Sequence, residues 1–375
     1  MAFPTGWSHK WPIDINADSV ISAPVADWPC LVTDAHFPAG AWAEMQATGA
    51  DLRFSSDEAG TVELYYDDPR LDVAGESAHL YVGVPSLAAS ADTTIYAWVG
   101  NDSAAAPTTA WKQNTYPADI VAWWPMEEGA GGTVYDRTAN GADAGIVGTS
   151  WSWVEQADGS WALDFGTGAD RVEVPVGSTA ASPGTSDFSV LWRSEADVNA
   201  KDRNYFDGRA WNSPYTGWNI RRAGNATSLV FELNGGTRYT YPFNTAAETM
   251  PVGTAISMAC SFDRDGQTVV LRDGAEIGAA SISGSAAQNI AGGDNPNKIG
   301  GHHRNSSGDS FDGRFFAVAV LLRTVTPDEA ALHHLMLSSP ATFATAGELV
   351  AVGSTGRAYF AGPNLGNSLF RRANL

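Results

Sequence analysis

Short apolar runs recur along the whole chain, separated by clusters of Gly, Pro, Asn, Asp and Ser. That spacing predicts strands joined by turns. In the first third the candidate strands are Trp11–Ile15, Pro29–Thr33, Asp51–Phe54, Val62–Tyr66, His79–Val84 and Thr94–Val99. The last alternates Ile95, Ala97 and Val99 with Tyr96 and Trp98, the two faces of a pleated strand. Val121-Ala122-Trp123-Trp124-Pro125 is apolar throughout and predicts a buried strand. A glycine-rich loop follows, then Tyr135–Gly141 and the short segment Gly145–Gly148.

Further strands are expected in WALDFGTGADRVEVP, SDFSVLWR, GWNIRR, SLVFELNG and FDGRFFAVAVLL. In ISMACSFDRDGQTVVLRDGAEI, Asp265-Gly266 is expected to supply a turn with positive φ, and Asp273-Gly274 the next turn. Thr326, Pro327 and Glu329 form a capping box with proline at the first helical position, predicting a helix over Pro327–Met336. Ser338–Leu375 is rich in Gly, Ala, Ser and Asn and reads as an extended arm with no core of its own, either disordered or ordered by a neighbouring subunit.

These elements give an all-β protein: two antiparallel β-sandwich (jelly-roll) domains, at 1–105 and 118–337, with a linker at 106–117 and an arm at 338–375. The stretch VAWWPMEEGAGGTVYDRTANGADAGIVG resembles the entry of a concanavalin A-like, laminin-G-like jelly roll, in which a strand precedes an Asp-x-Ser/Thr-x-Asn-Gly loop. The later segments follow in the order that family would give, down to the closing helix. In the first domain, GADLRFSSDEAGTVELYYDD, AHLYVGVPSL and TTIYAWVGND resemble a β-sandwich family of uncharacterised function. That family is found beside lectin-like modules on microbial surface proteins, so the resemblance implies a context rather than a reaction.

Composition narrows the partners. Net charge is −20 and only four of the 22 basic residues are lysine, which disfavours nucleic acid and anionic membrane surfaces. Cys30 and Cys260 sit in apolar runs of different domains and read as buried thiols, not a disulfide. The start MAFPTGWSHKWPIDI has neither a basic nor an apolar region of a signal peptide, giving the expectation of synthesis and folding in a cytoplasm. No apolar run is long enough to insert in a membrane.

Candidate chemistry is sparse. The sequence has no Gly-x-Ser-x-Gly, His-Glu-x-x-His or phosphate-loop motif, and no strand carries the alternating carboxylates of a glycosidase. Glu127-Glu128 and the pair Asp170 and Glu173 read as solvated turn residues, so no catalytic residue is assigned. The jelly-roll resemblance implies a possible Ca²⁺ site at Asp136 and Asn140, with Asp143 near. The competing reading is an Asx-turn, favoured by Phe and Ala in Gly313–Val318 where the family places acids. His302-His303 reads as part of a surface loop, and His333-His334 diverge on the predicted helix. The loop YFDGRAWNSPYTGWN places Tyr205, Trp211, Tyr215 and Trp218 among Asn212, Asn219, Asp207 and Arg209, making Tyr205, Trp211, Asn212, Tyr215 and Trp218 the candidate glycan contacts. Packing of those rings over a sandwich edge is the alternative.

The function expected from this is non-enzymatic adhesion or display of a lectin-like domain for cell-surface glycan attachment. The expected setting is a bacteriophage virion component (a head spike, decoration protein or tail-fibre subunit), partnered by other virion proteins or by its own copies in a homo-oligomer. The alternatives are a bacterial surface carbohydrate-binding protein and, less favoured, a polysaccharide-degrading enzyme.

Overall fold

The computed structural model describes residues 3–166, 168–198, 203–210, 216–222, 229–235, 238–243, 251–291, 295–305 and 309–353. Within them the protein is built from antiparallel strands in four sheets, with few and short helices. Two eight-stranded sheets make the jelly roll. One runs in the order 238–243, 229–234, 217–222, 204–207, 297–299, 171–174, 144–147, 133–134. The other runs 152–155, 161–165, 313–321, 188–196, 255–262, 267–272, 275–281, with Ile120–Trp124 also paired to Gly313–Leu321. We call the first the outer sheet and the second the inner sheet.

Side chains from the facing sides of the two sheets interlock as one core, including Trp124, Val190, Trp192, Phe206, Trp218, Phe231, Cys260 and Phe315. The opposite face of the inner sheet is apolar as well. Trp123, Leu191, Ala259, Leu271, Ala319 and Leu321 point away from that core and join the core of the first domain. A strand buried on both faces has no polar face to alternate with, which is why VAWW, VLW and AVAVLL are apolar without a break.

The first domain pairs a six-stranded sheet, centred on His9–Ile15 and Thr93–Val99, with a three-stranded sheet in the order Val25–Thr33, Ser77–Leu87, Tyr66–Asp72. Its Trp28 and Tyr81 meet Trp123 edge-on at 6.4 and 5.2 Å between ring centroids. The stretch 106–117 is no free linker. It holds a helix, Thr109–Gln113, capped by Thr108 and packed through Trp111 against Tyr65 and Tyr66.

The arm also departs from expectation. Helix Pro327–Ser338 forms with the predicted capping box, and Pro340–Phe343 follows it. Ala344–Ala346 and Val350–Ala351 then pair with His9–Ile15, adding an edge to the first domain's sheet. His36 Nε2 lies 3.1 Å from the carbonyls of Pro340 and Ala344, and Phe343 is buried. Through residue 353 the C-terminal segment therefore belongs to the first domain of its own chain; residues 354–375 lie outside the described residues. The turns also differ in part. Asp273 and Gly274 adopt φ of 51° and 83°, whereas Asp265-Gly266 closes without positive φ, Gly266 N–H donating to the Asp263 carbonyl. Both cysteines are free and buried.

Candidate functional site

The outer sheet turns Phe206, Trp218, Ile220, Phe231, Leu233 and Ile299 into the core. By the period of two, their neighbours Asp207, Asn219, Glu232 and Lys298 face the other way. Register sets them side by side: Glu173 opposite Lys298, Lys298 opposite Asp207, Asp207 opposite Asn219, and Asn219 opposite Glu232. The result is a polar row across five strands.

Arg209 ties this row together. Its Nε and Nη2 donate to the two Asp207 carboxylate oxygens at 2.8 and 2.7 Å, and its Nη1 donates to Glu232 Oε2 at 2.5 Å. Arg221 Nη2 reaches Glu232 Oε1 at 3.3 Å. The backbone N–H of His303 donates to Asp207 Oδ2 at 2.9 Å, and its Nδ1 lies 3.0 Å from the same oxygen. Asp207 and Glu232 are fully buried under these partners. Burial by itself would raise the Asp207 carboxyl, but the bonds from Arg209 and His303 outweigh it and hold the group well below the usual carboxylate range. Burial pulls the Lys298 ammonium down to about 8 and the His302 imidazole to about 4.

His303 is therefore buried, not part of an exposed loop, because Asp207 draws it in from a distant segment. Ligand atoms of Asp207, His302 and His303 lie within 4.8 Å of one another. A cation placed there would meet the Arg209 guanidinium and an Asp207 carboxylate already bonded on both oxygens. The trio is better described as an anion held by donors than as a metal centre.

The candidate glycan residues divide. Tyr205 and Trp218 are 1% and 3% exposed, with Tyr205 against Trp192 and Phe311 and Trp218 against Phe188. As core rings they offer no face to a sugar, which corrects that part of the expectation. Trp211, Asn212 and Tyr215 lie outside the described residues. The stems of their loop are described: Gly208 N–H donates to the Trp218 carbonyl and Ala210 N–H to the Thr216 carbonyl. The loop thus leaves the sheet beside Asp207 and Arg209. Asp207, Asn219, Glu232 and Lys298 are all buried, so the row braces the stems of the loop through Arg209 rather than offering its own groups to a ligand.

The Ca²⁺ set does not fit a metal. Asp136 is buried, and its oxygens accept from the N–H groups of Trp123, Thr138 and Ala142 and from the Thr138 hydroxyl, at 2.8 to 3.0 Å. Asp143 accepts from the Asp136 N–H, while Asn140 turns its amide NH₂ toward the Val121 carbonyl and Thr138 Oγ1. The carboxylates are filled by backbone donors, so this is an extended Asx-turn. Burial raises the Asp136 carboxyl, the N–H bonds offsetting only part of it.

Two of the acids read as solvated are buried. Asp170 is fully buried and accepts from Thr149, Ser150 and Gly166, closing the turn beside it. Glu127 is 4% exposed and faces Arg70 and His79 of the first domain. Sequence reasoning missed this because the partners lie far away in the chain. The available hint was Glu127 following directly on the buried run Trp123–Met126.

Two packed sheets with a sealed core and a polar outer row define a lectin-like jelly roll. Residues 165–331 match the model of the family described as the concanavalin A-like lectin/glucanases superfamily, and the second domain has that fold. No curated protein matches the sequence. Similar solved structures include the binding domain of Paraclostridial Mosquitocidal Protein 1, 14% identical with a TM-score of 0.44 over 58% of this chain and 52% of that one. Another is the binding domain of botulinum neurotoxin DC in complex with SialylT, 10% identical with a TM-score of 0.40 over 59% and 52%. A third is domain 4 of AbnA, a GH43 extracellular arabinanase from Geobacillus stearothermophilus, in complex with arabinotriose, 14% identical with a TM-score of 0.42 over 57% and 97%. The chain spans about half the length of the two toxin domains.

Proposed function

We propose that this protein is a non-catalytic recognition and display module whose jelly roll holds a glycan at its outer sheet. The observation that carries the reading is the Asp207–Arg209–Glu232 network beside the stems of the loop bearing Trp211, Asn212 and Tyr215. It supports binding over cleavage. A glycosidase needs one carboxyl kept protonated as general acid, whereas Arg209 holds Asp207 ionised and bonds Glu232 as an acceptor. Glycan-array binding of the full chain tests this, with Trp211→Ala and Tyr215→Ala expected to abolish the signal without loss of fold. Retention of no glycan at all, or release of reducing ends from an oligosaccharide panel, would overturn it.

The setting we propose is the surface of a virion, as a head-spike, decoration or tail-fibre component. The support is the first domain's resemblance to sandwiches that accompany lectin-like modules on microbial surfaces. A mass-spectrometric inventory of purified virions and of cell envelopes from the source decides between this and a bacterial surface protein.

A further inference from the structure

A second candidate site lies where the two domains and the C-terminal segment meet. A cavity of about 250 Å³ opens there, floored by Leu31, Ala78, His79 and Glu127 and bounded by Arg70, Trp161 and Phe316, with Ala35, Asp158 and Ala341 at its exposed rim. Met126, at φ 55°, turns the chain out of the buried strand immediately before Glu127.

The floor carries polar groups without hydrogen-bond partners. Glu127 Oε2, Arg70 Nε and His79 Nδ1 are all buried and make none. They are close to one another: Arg70 Nε is 3.1 Å from Glu127 Oε2, and His79 Nδ1 is 3.2 Å from Glu127 Oε1. The contacts are electrostatic without the alignment of a hydrogen bond. The remaining valences are engaged: Glu127 Oε1 accepts from Trp161 N–H, Arg70 Nη1 donates to Ser77 Oγ, and His79 Nε2 lies 3.2 Å from the Tyr81 hydroxyl. A hydrogen-bonding group entering the cavity would complete what these unaligned contacts leave unmade.

We propose that this cavity binds a single neutral sugar ring. Arg70 beside the floor is cationic and Asp158 at the rim is acidic, so a ligand of either charge would meet repulsion at one end. A hydroxyl both donates and accepts, and so can serve Glu127 Oε2 and Arg70 Nε together. Leu31, Ala78, Trp161 and Phe316 supply carbon surface for the C–H groups of a ring. The volume falls just under the roughly 300–1,000 Å³ of sites for drug-sized ligands, a scale that suits a single ring. Burial lifts the Glu127 carboxyl to about 8 in spite of Arg70, so near neutrality it too can donate. None of Asp207, Arg209 and Glu232 lines this cavity, and the proposal does not depend on the glycan reading given above.

The ring could arrive free or as the terminus of a glycan, and the test separates the two. Saturation-transfer NMR is run on the full chain with methyl glucoside, galactoside, mannoside and N-acetylglucosaminide, and with disaccharides ending in the ring that binds. At least one glycoside is expected to show transfer. Ala341→Phe, which plugs the rim without touching the floor, is expected to weaken binding at least about tenfold with an unchanged melting temperature. Glu127→Met should also weaken binding by removing both oxygens, and Trp211→Ala should leave this binding intact. Binding of the matching disaccharide assigns a glycan terminus, and its exclusion a free sugar. Absence of transfer from every glycoside, or binding that survives Ala341→Phe, overturns the proposal, and neither result bears on the glycan-array experiment.

Discussion

Arg137 of the jelly roll donates from Nε and Nη2 to the two carboxylate oxygens of Asp67 in the first domain, at 2.7 and 2.5 Å. Arg137 directly follows Asp136, whose side chain folds the Asx-turn. One loop thus fixes its own shape with the first residue and grips the neighbouring domain with the second. Tyr116 adds its hydroxyl to the same Asp67 carboxylate at 3.0 Å.

Because Asp67 is buried, removing one partner strands the other. Asp67→Ala is expected to cost about 3–5 kcal/mol in urea unfolding. A double-mutant cycle with Arg137→Leu should recover part of that loss; strict additivity would show that the pair does not couple the domains.

The shared core predicts cooperative unfolding. Leu191, Ala319 and Leu321 of the jelly roll pack in the same cluster as Trp11, Trp28 and Leu80. Calorimetry of the full chain should show one transition, and a fragment of residues 118–337 should aggregate through its uncovered inner sheet. Truncation after Ser339 should also lower the single transition, because it removes Phe343 and the two strands paired with His9–Ile15.

Trp218 and Trp211 should give opposite phenotypes. Trp218→Ala opens a cavity in the core and is expected to cost about 3–5 kcal/mol. Trp211→Ala should lose glycan binding with little change in unfolding. Exchange of these two outcomes would refute the assignment of Trp218 to the core.

The Asx-turn reading predicts that EDTA leaves the melting temperature unchanged, since the Asp136 oxygens already hold four donors. Asp136→Ala, by contrast, should destabilise strongly by leaving the Trp123 and Ala142 N–H groups without an acceptor. A stabilising response to added Ca²⁺ that vanishes in this variant would reverse the conclusion.

The pH dependence follows from Glu127. Its carboxyl is raised from 4.5 to about 8 on folding, so between those values the folded state holds a proton that the unfolded state has lost. Stability therefore falls as pH rises through that window, by at most about 1.4 kcal/mol per unit. His79 and His333 are lowered by burial to about 3, so their effect has the opposite sign and is complete by about 6.5. Between pH 6.5 and 8 the Glu127 term is left, and the decline measured there by thermal melts should flatten in Glu127→Gln.

What the sequence determined is what local pattern can encode. Unbroken apolar runs such as Val121–Trp124 identified buried strands because both faces of the inner sheet are covered. The box of Thr326, Pro327 and Glu329 defined a helix start because all of its bonds lie within one turn. The sites were decided by tertiary structure. Asp207 and Glu232 come together through strand register, His303 reaches Asp207 from a loop, and Glu127 meets Arg70 and His79 through domain packing, separations over which composition and periodicity carry no information. The same reason explains the misplacements of Trp218 and of the segment after Ser338: an aromatic ring in a polar loop sequence, or a short strand in a glycine-rich tail, is buried or exposed according to which distant partner reaches it.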